Sequence, residues 1–332
     1  MHELLKNLPE AQQKKLQKEK QPEFITPMKA KLTHKRFSDK DWVFERKLDG
    51  ERVLIVKNKK EVNLFSRNEK KLNFKYPQLV AAFKKQRNSF IADGEIVAFK
   101  GNVTSFARLQ KRMHVSSEEE AKKSSVKVYC YVFDLLFLEG YNLCNLSFNF
   151  RKNLLRKAFN FQNPIRFTPH KNENGKKFIQ EACKKNWEGL IAKKRDSTYV
   201  HSRSSNWLKF KCVHEQEFVI GGYTKPQGER IGFGALLIGF YKGEDLYYAS
   251  KVGTGYDDET LEFLHDKMKN LEVENPPFVQ EDALPQKDVF WLKPKLVAEV
   301  GFTEWTNNNK LRHPRYIGLR DDKKAKEVVK EA

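Results

Sequence analysis

The sequence predicts an α+β fold with mostly antiparallel sheets, followed by a small β-barrel. Three observations lead there. A length of 332 residues with 39% hydrophobic and 12% aromatic content is enough for two separate cores. Up to Cys212, short strands and helices interleave without the regular spacing of βαβ units. Beyond Cys212 the text turns strand-rich and glycine-punctuated around a single helix, as in a small closed barrel.

The elements follow in order. Residues 1–25 mix Lys and Glu with few aromatics and read as a helix or a loose, solvated arm. WVFERKLDGERVLIVKN reads as two strands joined by a tight turn at Asp49-Gly50. VNLFSRN is a strand and turn, YPQLVAAFKKQ a helix, FIADGEIVAFKGN a hairpin and TSFARLQKRM a helix. VKVYCYVFDLLFLEG is the most apolar strand and is expected at the centre of a sheet. RKNLLRKAF and GKKFIQEACKKN are helices, and WEGLIAKK and WLKFKCV are strands. In the last third, EFVIGGYT, GALLIGFYKG and DLYYASKVGTG are strands. DDETLEFLHDKMKNL is a helix capped by Asp257 or Asp258, and strands resume after a proline-rich crossing. This order fits an oligonucleotide-binding (OB) barrel. The expected organisation is an arm (1–25), an α+β domain (26–213), a barrel (214–324) and a tail (325–332), with a short hinge near residue 213.

Composition excludes several classes. A mean hydropathy of −0.72 and the lack of a long apolar run argue against a membrane-spanning helix. The start lacks the basic head and apolar stretch of a secretory signal, so the protein is expected inside a cell, in cytoplasm or nucleoid. The four cysteines, Cys130, Cys144, Cys183 and Cys212, form no CxxC pair. They read as small buried hydrophobes rather than a disulfide framework or zinc site. The histidines, His34, His114, His170 and His201 among them, lack HxxxH-type spacing and are assigned to no metal. A formal charge of +20 points to a polyanionic partner, since Lys and Arg docked on phosphates release condensed counterions.

The chemistry rests on an ordered set of short motifs. Lys47-Leu48-Asp49-Gly50 with Arg52 comes first, then Ser66-Arg67, Asp93-Gly94-Glu95 and Phe133-Asp134. Glu188-Gly189 with Lys193, Trp207-Leu208-Lys209-Phe210-Lys211 and Arg320-Asp321-Asp322-Lys323 complete it. This set resembles the six motifs of the covalent nucleotidyltransferases: ATP-dependent DNA ligases, RNA ligases and mRNA capping enzymes. DWVFERKLDGERV, LFSRN, FIADGEIVAF and LRHPRYIGLRDDK are most similar to the ligase domain of bacterial non-homologous end-joining DNA ligases.

The resemblance implies an adenylation (nucleotidyltransferase) domain followed by an OB domain, with ATP and Mg²⁺ or Mn²⁺ as cofactors. Lys47 would attack the α-phosphate of ATP and hold AMP, which then passes to a DNA 5′-phosphate and leaves on attack by the 3′-OH. Asp49, Glu95 and Glu188 would serve the metal, which prefers oxygen ligands. Glu95 would also reach the ribose, Phe133 would stack on adenine, and Ile191 would pack on its other side. Lys193 is placed among the nucleotide contacts. Lys209 and Lys211 would touch the α-phosphate, and Arg52, Ser66 and Arg67 would hold the 5′-phosphate of the nick. Arg320, Asp322 and Lys323 would orient the leaving pyrophosphate.

A lysine nucleophile must be neutral, although its ordinary pKa is about 10.4. Freeing the amine near neutral pH takes about 4 kcal/mol, which neighbouring cations supply by disfavouring the ammonium. Nicked duplex DNA is the expected partner, with the end-binding protein Ku a second candidate and no membrane. The protein is expected to be a monomer that serves repair, replication or recombination. Two alternatives stand beside this reading: an RNA ligase or capping-type enzyme, and a non-catalytic basic OB-fold DNA-binding protein.

Overall fold

The structure is a computed structural model that describes residues 2–33, 35–212, 214–279, 284–285, 287–302, 304–306 and 308–331. His34, the hinge residue Val213 and part of the proline-rich crossing lie outside the described residues. The chain forms two compact units, 1–212 and 213–332.

The first unit opens with single-turn helices α1 (Glu3–Lys6) and α2 (Glu10–Gln13) and strand β1 (Gln17–Lys18). Then come β2 (Lys29–Leu32), β3 (Trp42–Lys47), β4 (Glu51–Asn58), β5 (Glu61–Ser66) and α3 (Pro77–Lys84). Strands β6 (Phe90–Lys100) and β7 (Val103–Thr104) lead to α4 (Phe106–Met113) and α5 (Glu118–Lys123). Next are β8 (Val128–Leu138), β9 (Tyr141–Asn142), α6 (Phe148–Ala158), β10 (Ile165–Phe167) and β11 (His170–Asn172). Helix α7 (Gly175–Lys184), β12 (Gly189–Lys194) and β13 (Arg203–Lys211) close the unit.

These strands build two sheets. Sheet A runs β1-β9-β8-β6-β4-β5, with β10 on β8 and β7 on β6; sheet B runs β11-β3-β12-β13-β2. Most pairs are antiparallel, with β10–β8 and β13–β2 parallel. Strand alternation sends successive side chains to opposite faces, so each sheet carries two apolar layers. One face of sheet A packs on α3, α4 and α6 through Val53, Ile55, Leu79, Leu109 and Leu155. Leu54, Val56, Ile91 and Phe133 from its other face share a core with Trp207 of sheet B. The far face of sheet B meets α7 through Phe44, Leu190, Ala192, Phe210, Phe178 and Ile179.

Three expectations change. Strands β3 and β4 are not a hairpin: β3 lies in sheet B and β4 in sheet A, so Leu48–Gly50 carry the chain from one sheet to the other. Gly50 is required for close approach, because a Cβ there would overlap the Ile96 carbonyl oxygen. Strand β6 runs unbroken through Asp93-Gly94, and the hairpin turn falls at Gly101-Asn102. The N-terminal arm is fastened down, with Leu5 fully buried in the sheet A core and β1 paired to β9.

The second unit contains β14 (His214–Thr224), β15 (Leu236–Lys242), β16 (Asp245–Val252), α8 (Asp258–Lys269) and β17 (Glu272–Val273). It continues through β18 (Val289–Leu292), β19 (Val297–Phe302), β20 (Glu304–Trp305), β21 (Leu311–Arg312) and β22 (Arg315–Leu319). Its main sheet runs β16-β15-β14-β18-β17, with β19 joining β14 to β22. Tyr316 N–H donates to the Thr254 carbonyl at 2.9 Å, which brings β22 back to the end of β16 and curls the sheet into an OB barrel. Asp257 is the cap of α8, its Oδ1 accepting from Thr260 N–H at 2.9 Å.

Cys183 on α7 and Cys212 after β13 form a disulfide with Cα atoms 5.1 Å apart, so these two are not the inert hydrophobes expected. Their spacing of 29 residues gave no local signal, because the fold alone brings the helix end to the strand end. Cys130 and Cys144 are buried free thiols, and burial pushes Cys144 up to about 12. Among the described residues, no helix is long and apolar enough to cross a membrane.

Candidate active site

Strand register explains how motifs far apart in sequence meet. Lys47, Gly189 and Lys211 lie side by side across β3, β12 and β13. The next row of the same face is Glu45, Ile191 and Lys209, and the row beyond is Val43, Lys193 and Trp207. Alternation places these residues on one face, while Phe44, Leu190 and Phe210 take the opposite, α7-packed face. Gly189 has φ +154°, and a Cβ on it would overlap the Phe210 carbonyl oxygen. Glycine therefore lets the two lysine strands close around the middle one.

Lys47 Nζ ion-pairs with Glu188 Oε1, whose residue directly precedes Gly189. The other oxygen, Glu188 Oε2, is buried and has no hydrogen-bond partner among the described residues. Asp49 accepts from Phe106 N–H at 2.9 Å through Oδ2 and donates its own N–H to Thr104 Oγ1 at 3.2 Å. It thus ties the end of β3 to the start of α4. Lys209 and Lys211 are half-buried, as is Ile191 between Glu45 and Lys209.

Glu45, two residues before Lys47, is 2% exposed and bridges Lys152 at 2.6 Å and Lys193 at 2.8 Å. Burial alone would raise its carboxyl, but the two lysines outweigh that and hold it below the usual carboxylate range. One carboxylate cannot neutralise two ammoniums, and burial takes Lys152 down to about 8 against the pull of Glu45. Lys193 is 1% exposed and lies over the rings of Phe133 (4.3 Å) and Trp207 (4.1 Å). In this arrangement its ammonium anchors Glu45.

From sheet A, Arg52 stands opposite Glu95 across β4 and β6. Its guanidinium grips Asp93 with Nε (2.5 Å) and Nη2 (2.6 Å) and lies 4.7 Å from the Phe133 ring centroid. Burial would weaken this cation, yet Asp93 keeps it firmly charged. Phe133 is only 8% exposed, its ring covered by Arg52 and Lys193 and met edge-on by Trp207. The residue expected to meet adenine thus stands between two cations at the seam of the two sheets. Ser66 is 1% exposed and its Oγ accepts from Asn68 N–H (3.3 Å) and Lys70 N–H (3.1 Å). It shapes the turn that presents half-buried Arg67.

In the second unit, Arg320 forms a fork on Asp322 (2.9 Å to each oxygen) and reaches Glu299 at 2.6 Å, while Lys323 pairs with Glu217 at 2.6 Å. Burial would raise the Asp322 carboxyl, but Arg320 outweighs it and holds it low. Sequence reasoning gave no role to Glu45, Lys152, Asp93 or Tyr199. Glu45 was within reach of it, since strand alternation puts residue 45 on the face of residue 47. The others act through contacts between distant segments.

Comparison with known proteins follows the same outline. A family model described as "ATP dependent DNA ligase domain" matches residues 26–211, and one described as "ATP dependent DNA ligase C terminal region" matches 229–323. The multifunctional non-homologous end joining protein LigD of Mycolicibacterium smegmatis is 35% identical over 327 residues, covering 96% of this chain and 41% of that protein. LigD of Pseudomonas aeruginosa is 33% identical over 321 residues, covering 93% and 37%. The chain thus spans about two fifths of the length of these curated relatives. A structure of mycobacterial DNA ligase D complexed with ATP and MES superimposes with a TM-score of 0.67 at 32% identity, covering 92% of this chain and 98% of that one.

Proposed function

The chain belongs to the ATP-dependent DNA ligase family, and on that premise we propose that it seals nicks in duplex DNA through a lysyl-AMP intermediate. The observation that carries this is the row Lys47–Gly189–Lys211 with Glu188 against the Lys47 amine. Lys47 Nζ attacks the α-phosphorus of ATP as the neutral amine. An N–P bond forms, the bond to pyrophosphate breaks, and Glu188 Oε1 is the acceptor in contact for the lysine proton. Lys209 and Lys211, on the same face, meet the charge that develops on the α-phosphate. AMP then passes to a DNA 5′-phosphate, and the neighbouring 3′-OH displaces it.

Arg52 and Arg67 are assigned to that 5′-phosphate, and half-buried Ile191 to the wall of the base site. Arg320, Asp322 and Lys323 are assigned to the leaving pyrophosphate. The buried Glu188 Oε2, partnerless among the described residues, is a hard oxygen donor of the kind a divalent cation takes; Asp49 and Glu95 are assigned as further carboxylates by the family resemblance. When bound, Mg²⁺ or Mn²⁺ supplies positive charge at the α-phosphate. The likeness to the end-joining LigD proteins supports a role in DNA repair; Ku as a partner, a monomeric state and work in the cytoplasm or nucleoid belong to the same proposal.

The test is to incubate the protein with Mg²⁺ and α-labelled ATP or GTP, denature it and look for covalent label. The expected result is label from ATP that is absent in Lys47→Ala, followed by sealing of a 5′-phosphorylated nick. Label from GTP alone, or ATP label retained in Lys47→Ala, overturns the reading.

A further inference from the structure

Arg52 belongs to a closed ring of hydrogen bonds. Its Nε and Nη2 hold both oxygens of Asp93, which is fully buried. Tyr199 O–H donates to Asp93 Oδ2 at 2.6 Å and accepts from Met28 N–H at 2.8 Å. The ring closes where Arg52 Nη2 donates to the Met28 carbonyl at 3.2 Å. Met28 lies just before β2, Tyr199 between β12 and β13, and Arg52 and Asp93 on β4 and β6. Three separate stretches of chain are therefore spent on the angle of one guanidinium.

The ring leaves one part of Arg52 unused. Nε and Nη2 are engaged, whereas Nη1 has no partner among the described residues and is not buried. The arginine side chain is 21% exposed, while Tyr199 is 3% exposed. Burial and Asp93 both push the Tyr199 phenol well above its ordinary value, so it stays a donor.

We infer that Tyr199 is a positioning residue that, through Asp93, aims the two Nη1 N–H groups of Arg52 at the 5′-phosphate of the nick. The inference rests on the assignment of Arg52 to that phosphate. Without the phenol, Asp93 can rotate and Met28 loses its acceptor, so the guanidinium keeps its charge and loses its fixed direction. The loss should fall on phosphate recognition and spare Lys47.

The experiment compares binding of the Lys47-adenylated protein, with metal chelated, to a nick bearing a 5′-phosphate and to one bearing a 5′-hydroxyl. The readout is the ratio of the two affinities. In wild type the ratio favours the phosphate. Tyr199→Phe is expected to lower it about tenfold, the worth of one hydrogen bond to a charged group. Its affinity for the hydroxyl nick and its rate of AMP labelling should stay within twofold. Arg52→Lys should lose the ratio as well, and adding Tyr199→Phe to Arg52→Lys should change it no further.

A Tyr199→Phe protein with the wild-type ratio overturns the inference alone, as does equal weakening on both nicks, which marks a purely structural role. Should wild type show no dependence on the phosphate, or Arg52→Lys keep the wild-type ratio, the assignment of Arg52 falls and the inference falls with it.

Discussion

Lys47 and Lys211 flank Gly189 in a single row across three antiparallel strands, although they are separated in sequence by most of the first unit. The nucleophile and the cation assigned to its phosphate are thus positioned by backbone pairing, with glycine as the spacer. Gly189→Ala should push β13 away from β12, since the new Cβ would overlap the Phe210 carbonyl oxygen. We expect a stability loss of about 3 kcal/mol by urea denaturation. AMP labelling should fall even at temperatures where the variant is fully folded, which would separate misplacement from unfolding.

The Lys152–Glu45–Lys193 cluster makes an asymmetric prediction. Glu45→Gln leaves two buried ammoniums without a counterion and should cost about 3–5 kcal/mol, whereas Lys152→Met leaves a matched pair and should cost far less. A lysine at about 8 in the fold and about 10.4 when unfolded binds fewer protons folded across that interval. Its contribution therefore makes stability rise with pH between those values. Thermal melts from pH 7 to 10 should show this rise in wild type and a smaller one in Lys152→Met.

Asp322 predicts the opposite end of the pH scale. Arg320 holds its carboxyl below the unfolded value, so its stabilisation is complete above about pH 4 and fades as pH falls through the lowered one. Asp322→Asn should lose about 1.5–3 kcal/mol at neutral pH, because it weakens the charged fork on Arg320 and leaves the Arg320–Glu299 pair. Melting curves of the two proteins should converge as the pH is taken below 4. A constant gap down to pH 2 would remove Asp322 as the source.

The Cys183–Cys212 disulfide joins residues 29 apart, a loop whose closure is worth about 3–4 kcal/mol by chain entropy. Reductant should lower the melting temperature of wild type and leave a Cys183→Ser/Cys212→Ser variant unaffected. Thiol counting on unfolded, unreduced protein should find two free groups, Cys130 and Cys144; four would mean that the bond is absent.

Much of this architecture was legible because it is local. Alternating strands, the Asp257 cap and the apolar run of β8 follow from neighbours in sequence. The order of short motifs pointed to the site although no single motif did. What escaped were relations between distant segments. Asp49-Gly50 carries the signature of a tight turn, but the chain there changes sheets, and the glycine answers to Ile96 on another strand. The packing of Phe133 and Lys193 with Trp207 is likewise a relation between two sheets that no single segment signals. Tyr199 has no periodic or motif signal, and its importance is visible only once Met28, Asp93 and Arg52 surround it.

Strand β1 occupies the outermost place in sheet A, with Gln17 and Lys18 paired to Asn142 and Tyr141 of β9. The backbone groups of β9 that would face water as a bare edge are therefore already taken. An open edge is where one molecule recruits another, because unpaired N–H and C=O groups accept any extended chain. The early segment that looked like a solvated leader thus moves the edge of sheet A onto a two-residue strand that carries Lys18, a poor template for a further chain, and Leu5, sealed into the core, is the rivet that keeps it in place.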